Sequence, residues 1–120
     1  MNVLQNKTIK GKGRDKIMKI IAITACPAGV AHTHMAAAAL EASAKKLGVT
    51  IKVEKQGAMG IENKIKEKEV PEADALILAV DTAIAKAERF EGIPTVKVAV
   101  AEAVKNSQGL INQAIELAKK

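Results

Sequence analysis

The sequence predicts an α/β fold: a three-layer sandwich with helices on both faces of a four-stranded parallel sheet of strand order 2-1-3-4. Short apolar runs alternate with segments of helical character, the βαβ pattern that right-handed crossovers turn into a parallel sheet. Residues 20–24 are apolar or β-branched and residues 75–80 are apolar throughout, as central strands are. Residues 49–54 instead alternate apolar and polar side chains, which is typical of an edge strand with one solvated face that includes Glu54.

Each element has a local signal. Pro27 and Gly29 break the first strand, and Gly48 ends the Ala-rich helix that follows it. Gly92 ends a later helix in the same way. The predicted strands are 20–24, 49–54, 75–80 and 95–99, and the predicted helices are 32–47, 61–68, 83–90, 101–105 and 107–118. The core face of the first helix is predicted to contain Met35, Ala38, Ala39, Ala42 and Leu47.

Composition limits the classes of function. A chain of 120 residues has the length of one domain, which is predicted at 18–120. Its single cysteine excludes an internal disulfide and suits a reducing cytosol. Five of the basic residues lie in 1–18 against one acidic residue, so most of the net charge of +6 belongs to this end. Residues 1–17 lack periodicity and are predicted to be a disordered basic tail or linker. With one Phe and neither Trp nor Tyr, stacking of a base or a flavin ring is disfavoured.

The cysteine marks the candidate site. Cys26 comes directly after the first strand, at the carboxyl edge of the predicted sheet, where open α/β folds place their chemistry. A small loop that leads into a helix N-terminus points backbone N–H groups at one place and stabilises a thiolate or a phosphate there. The predicted phosphate-binding residues are Pro27, Ala28, Gly29, Val30, Ala31, His32 and Thr33. Candidate supporting residues are His34, Gln56 and Asp81.

Other interpretations remain open on the residues alone. Cys26 could be a small buried apolar residue, the commoner state of a single cysteine. Cysteine phosphatases carry an arginine six residues after the nucleophile, where this chain has His32. A flavin or small-molecule binding module is a further alternative. A metal site of Cys26, His32 and His34 lacks the usual spacing and a fourth ligand, so no metal is predicted.

The run K-I-I-A-I-T-A-C-P-A-G-V-A-H-T-H-M-A-A-A-A-L resembles the phosphorylation loop of IIB components of the fructose-type phosphoenolpyruvate-dependent sugar phosphotransferase system. The resemblance continues through V-E-K-Q-G-A-M-G-I-E-N, A-D-A-L-I-L-A-V-D and E-R-F-E-G-I-P-T-V, and covers residues 18–120. The residues 1–17 are not part of the family pattern.

The resemblance implies a phosphoryl relay. Cys26 would take a phosphoryl group from the phosphohistidine of a IIA component and pass it to a sugar, fructose or a related substrate such as mannosylglycerate, at the membrane IIC component. It also implies a cytoplasmic protein that meets the membrane only through IIC, with no cofactor. Because most of the net charge lies in residues 1–18, no nucleic-acid partner is predicted.

Overall fold

The computed structural model describes residues 18–26, 30–57, 60–85 and 87–119. The predicted tail, 1–17, lies outside these residues, and the domain boundary stays a prediction. The strands are β1 (Lys19–Ala25), β2 (Thr50–Gly57), β3 (Gly60–Glu62), β4 (Ala75–Val80) and β5 (Thr95–Val98). The α-helices are α1 (Val30–Leu47), α2 (Val100–Lys105) and α3 (Ser107–Ala118), and two 3-10 helices span Glu67–Glu69 and Ala87–Phe90.

The sheet has five strands in the order β3-β2-β1-β4-β5. Its four parallel strands, β2-β1-β4-β5, have the predicted order, with Ile20 of β1 paired to Ile51 on one side and to Ala75 on the other. The fifth strand is a correction, because β3 pairs antiparallel with β2 and makes the sheet mixed. The helix predicted at 61–68 is therefore wrong: Gly60, with φ of +116°, returns the chain along β2.

In the described part of the chain the three α-helices lie on one face of the sheet, and the other face has a 3-10 helix and connecting segments, so the predicted three-layer sandwich with α-helices on both faces is not formed. Side chains of all three helices share one core cluster with alternate residues of the central strands, such as Ile20, Ala22 and Ile77. The opposite face, which includes Ile21, Ile23 and Leu76, is covered by connecting segments that carry Ile65 and Phe90. Only the 3-10 helix Ala87–Phe90 forms within the helix predicted at 83–90 in the part of the chain described.

The buried face of α1 also differs from the prediction. Ala36, Ala37, Leu40 and Ala44 are buried against the sheet, whereas Met35 is 54% exposed and Ala38 and Ala42 are exposed. The run Met35 to Leu40 is apolar on every side of the helix, so its periodicity does not select a face. The small alanines on the buried face allow α1 to lie close to β1 and β2.

Candidate functional site

Cys26 lies at the carboxyl end of β1, the central strand of the sheet. The residue is 6% exposed and belongs to the core cluster on the helix face. Thr24 Oγ1 donates a hydrogen bond to the carbonyl oxygen of Thr33 at 3.2 Å, which ties the end of β1 to the first turn of α1. Cys26 therefore sits where strand and helix are held together.

The start of α1 brings positive electrostatic potential to this edge of the sheet. The helix begins at Val30, only four residues after Cys26, and its first turn contains no acidic residue. The first backbone N–H groups of an 18-residue helix lack partners within the helix, and the helix dipole adds partial positive charge there. An anion at this end of α1 is thus favoured. The predicted loop residues Pro27, Ala28 and Gly29 lie outside the described residues, as do the side chains of Val30 and Ala31.

The two histidines of α1 point to different partners. His32 Nδ1 lies 3.7 Å from Cys26 Sγ, within the range of a sulfur hydrogen bond. His34 Nε2 instead lies 3.3 Å from Glu62 Oε2, in β3. Two residues apart on a helix are separated by about 200° around its axis, so both cannot face the cysteine. The structure brings His32, and not His34, to the thiol.

Asp81 follows β4 at the same edge of the sheet. Its backbone N–H donates to the carbonyl oxygen of Ala25 at 2.9 Å, and its Oδ1 accepts from the N–H of Val100 at 3.1 Å. The carboxylate therefore caps the first N–H group of α2, a helix that begins 19 residues later in the chain. Asp81 and His32 also line a cavity of about 340 Å³ whose other walls include Met35 and Lys105.

Gln56 is held by partners away from the thiol. It pairs in register with Ala25, but its amide Nε2 donates to Glu54 Oε2 at 2.6 Å and its Oε1 accepts from the N–H of Ala85 at 2.9 Å. These contacts lie on the face of the sheet that carries Glu54 and the connecting segments, whereas Cys26 packs on the helix face. Gln56 thus links β2 to the segment after β4.

A buried ion pair that the sequence did not reveal lies beside Gln56. The Arg89 guanidinium donates to both carboxylate oxygens of Glu54, at 3.0 and 3.1 Å, and the two side chains are 4% and 0% exposed. Glu54 also accepts from the N–H of Ile65 at 2.7 Å. The expectation that Glu54 lies on a solvated strand face is wrong. The alternating pattern of this strand gave no sign that Glu54 is buried, because its polar positions predict a solvated face.

The charge of Glu54 is set by these contacts. Burial disfavours the carboxylate, but hydrogen bonds from Arg89, Gln56 and the N–H of Ile65, with the positive charge of Arg89, outweigh it and lower the pKa of Glu54. Arg89 also donates to the carbonyl oxygens of Ile65 and Ala85, at 2.7 and 3.2 Å. One guanidinium therefore connects β2 to two separate connecting segments.

Within 18–26, 30–57, 60–85 and 87–119, no group of three His, Cys, Asp or Glu side chains is placed to hold a metal ion. Across the same ranges, none of the helices has the length and apolar character needed to cross a membrane.

Comparisons with known proteins agree on one family. A family model described as "PTS system, Lactose/Cellobiose specific IIB subunit" matches residues 21–113. The chain is 50% identical over 98 residues to the PTS system 2-O-alpha-mannosyl-D-glycerate-specific EIIABC component of Escherichia coli K12. The aligned residues make up 82% of this chain and 15% of that protein. The chain is also 48% identical over 95 residues to the PTS system fructose-like EIIB component 2 of the same strain, which is 79% of this chain and 90% of that protein.

A solved structure gives the same result. A domain of the fructose-specific IIABC component from Borrelia burgdorferi matches with a TM-score of 0.79 and 46% identity, over 84% of this chain and 96% of that chain. The resemblance to fructose-type IIB components that the sequence predicted is confirmed, and the chain belongs to the IIB family of the sugar phosphotransferase system.

Proposed function

We propose that this chain relays a phosphoryl group through Cys26, from the phosphohistidine of a IIA component to a sugar at the membrane IIC component. The position of Cys26 carries the proposal: a buried thiol ends the central strand, 3.7 Å from a histidine and four residues before the N-terminus of α1. Relatives named EIIABC and EIIBC components support IIA and IIC partners. The sugar proposed is fructose or a related one, after the relatives' names.

The chemistry consists of two in-line displacements. In the first, the Cys26 thiolate attacks phosphorus, an S–P bond forms, and the P–N bond to the donor histidine breaks. In the second, a sugar hydroxyl attacks the same phosphorus, an O–P bond forms, the S–P bond breaks and the thiolate is regenerated. The residues 27–33 are the proposed phosphate-binding loop, in which backbone amides and the start of α1 stabilise charge on the three phosphoryl oxygens.

The absence of an arginine from the position of His32 favours a relay over a phosphatase. A guanidinium holds two phosphoryl oxygens at once and stabilises the transition state of hydrolysis. An imidazole lacks this fork, so a phosphocysteine here is expected to persist until an acceptor hydroxyl is presented. The relay would act in the cytoplasm and reach the membrane through IIC.

Intact-mass analysis tests the relay. The chain is incubated with phosphoenolpyruvate, the general phosphotransferase components and a IIA domain, and we expect the mass to rise by one phosphoryl group. Cys26→Ser should abolish the gain and keep the fold, since the side chains are nearly the same size. His34→Gln serves as a matched control. A Cys26→Ser variant that is phosphorylated as well as the native chain would refute the assignment.

A further inference from the structure

We propose that His32 transfers protons at this site. It takes the proton that Cys26 gives up, passes a proton to the histidine of the phosphoryl donor, and takes one from the sugar hydroxyl. The inference rests on the proposed relay and assigns His32 a role that phosphate binding does not include. Its basis is the 3.7 Å separation of His32 Nδ1 and Cys26 Sγ, at a cysteine that is only 6% exposed. A thiol so shielded from water exchanges its proton most directly with this imidazole.

The groups around the imidazole fit a proton carrier. His32 is exposed, so its ring can meet an incoming phosphohistidine or sugar hydroxyl while Nδ1 stays near the sulfur. Asp81 and Lys105, which have opposite charges, line the same cavity as His32. The start of α1 disfavours an imidazolium but favours the thiolate beside it. Since a thiolate–imidazolium pair has no net charge, these two effects of the helix start oppose each other.

The proton balance closes over one cycle. In the resting pair Cys26 Sγ and His32 Nδ1 share one proton. As the thiolate attacks phosphorus and the P–N bond breaks, His32 gives its proton to the departing imidazole of the donor and becomes neutral. Neutral His32 then takes the proton of the attacking sugar hydroxyl as the S–P bond breaks. The thiolate leaves beside an imidazolium, and the resting pair is restored.

Alkylation of the thiol by iodoacetamide tests the pairing without any partner protein. Cys26 is the only cysteine, so the rate reports one sulfur. We compare the full native chain with His32→Gln and His32→Asn over about pH 5–9, the range in which histidine changes charge. His34→Gln is the control, because it removes the other histidine from the same turn of α1. Circular dichroism checks the fold of each variant.

The native chain and His34→Gln should be alkylated at similar rates at every pH, because both keep the imidazole of His32 beside the sulfur. Both His32 variants should react at least about tenfold more slowly, because they lack the imidazole that takes the thiol proton. Matching pH profiles for native chain and folded His32 variants would overturn the inference, whatever the phosphorylation assay shows. If the alkylation rate depends on His32 but Cys26 does not accept a phosphoryl group, the relay is refuted and the pairing of Cys26 with His32 stands.

Discussion

Replacing Arg89 with Met should destabilise the protein strongly, although Arg89 lies on the sheet face opposite the proposed site. The variant removes two charge-assisted hydrogen bonds to Glu54, at 3.0 and 3.1 Å, and leaves a carboxylate of 0% exposure without its counter-ion. Breaking a buried ion pair from one side costs about 3–5 kcal/mol. Since Gln56 and the N–H of Ile65 still donate to Glu54, we expect about 3 kcal/mol, the lower end of that range.

Thermal and urea unfolding measure the cost. A loss of about 3 kcal/mol lowers Tm by about 12–24 °C for a domain near 100 residues. Lys52→Met is the matched control: it breaks a partly buried 2.8 Å pair with Glu69, whose side chains are 25% and 19% exposed. Because solvent reaches both charges, its cost should be smaller than that of the fully buried pair.

A double variant separates the ion pair from simple loss of packing. Glu54→Met with Arg89→Met removes both charges, so it should be more stable than Arg89→Met alone, because two apolar side chains leave no unpaired carboxylate. Two results would refute the reasoning. One is a loss of unfolding free energy in Arg89→Met no larger than that in Lys52→Met. The other is a loss in the double variant equal to the sum of the losses in the two single variants.

Three more outcomes are expected. Because the pKa of Glu54 is lowered in the fold, the carboxylate contributes its full stabilisation above pH 4.5, its ordinary pKa, and loses it as pH falls through its pKa in the folded protein. The unfolding free energies of the native chain and Glu54→Gln, measured in urea, should therefore converge in that acid range. His32→Arg should raise the release of inorganic phosphate from phosphorylated Cys26, because a guanidinium can hold two phosphoryl oxygens; rapid hydrolysis by the native protein would favour a phosphatase instead. A chain that begins at Met18 should unfold at the same temperature and accept phosphate at the same rate, since 1–17 shows no periodicity; a large fall in either would show that these residues pack on the domain.

The parallel strands and the place of the cysteine were determined by the sequence itself. Runs such as 75–80 are apolar throughout, so they are stable only where both faces are covered, and β4 has the predicted bounds. The order of the four parallel strands followed from which runs were fully apolar and which alternated. Because Cys26 ends such a run, its position at the carboxyl edge of the sheet needed no tertiary information.

Features that depend on contacts distant in sequence were decided only by the tertiary structure. The apolar run from Met35 to Leu40 offers several faces of α1, and packing against the sheet selected one. Glu54 has a polar side chain in an alternating strand, which predicts exposure, but Arg89, 35 residues later, supplies the charge that lets it be buried. The sequence places two histidines after Cys26, and the orientation of α1 on the sheet determines that His32, rather than His34, reaches the sulfur. Local pattern fixes where an element forms, whereas the direction of its side chains depends on neighbours that the chain brings from far away.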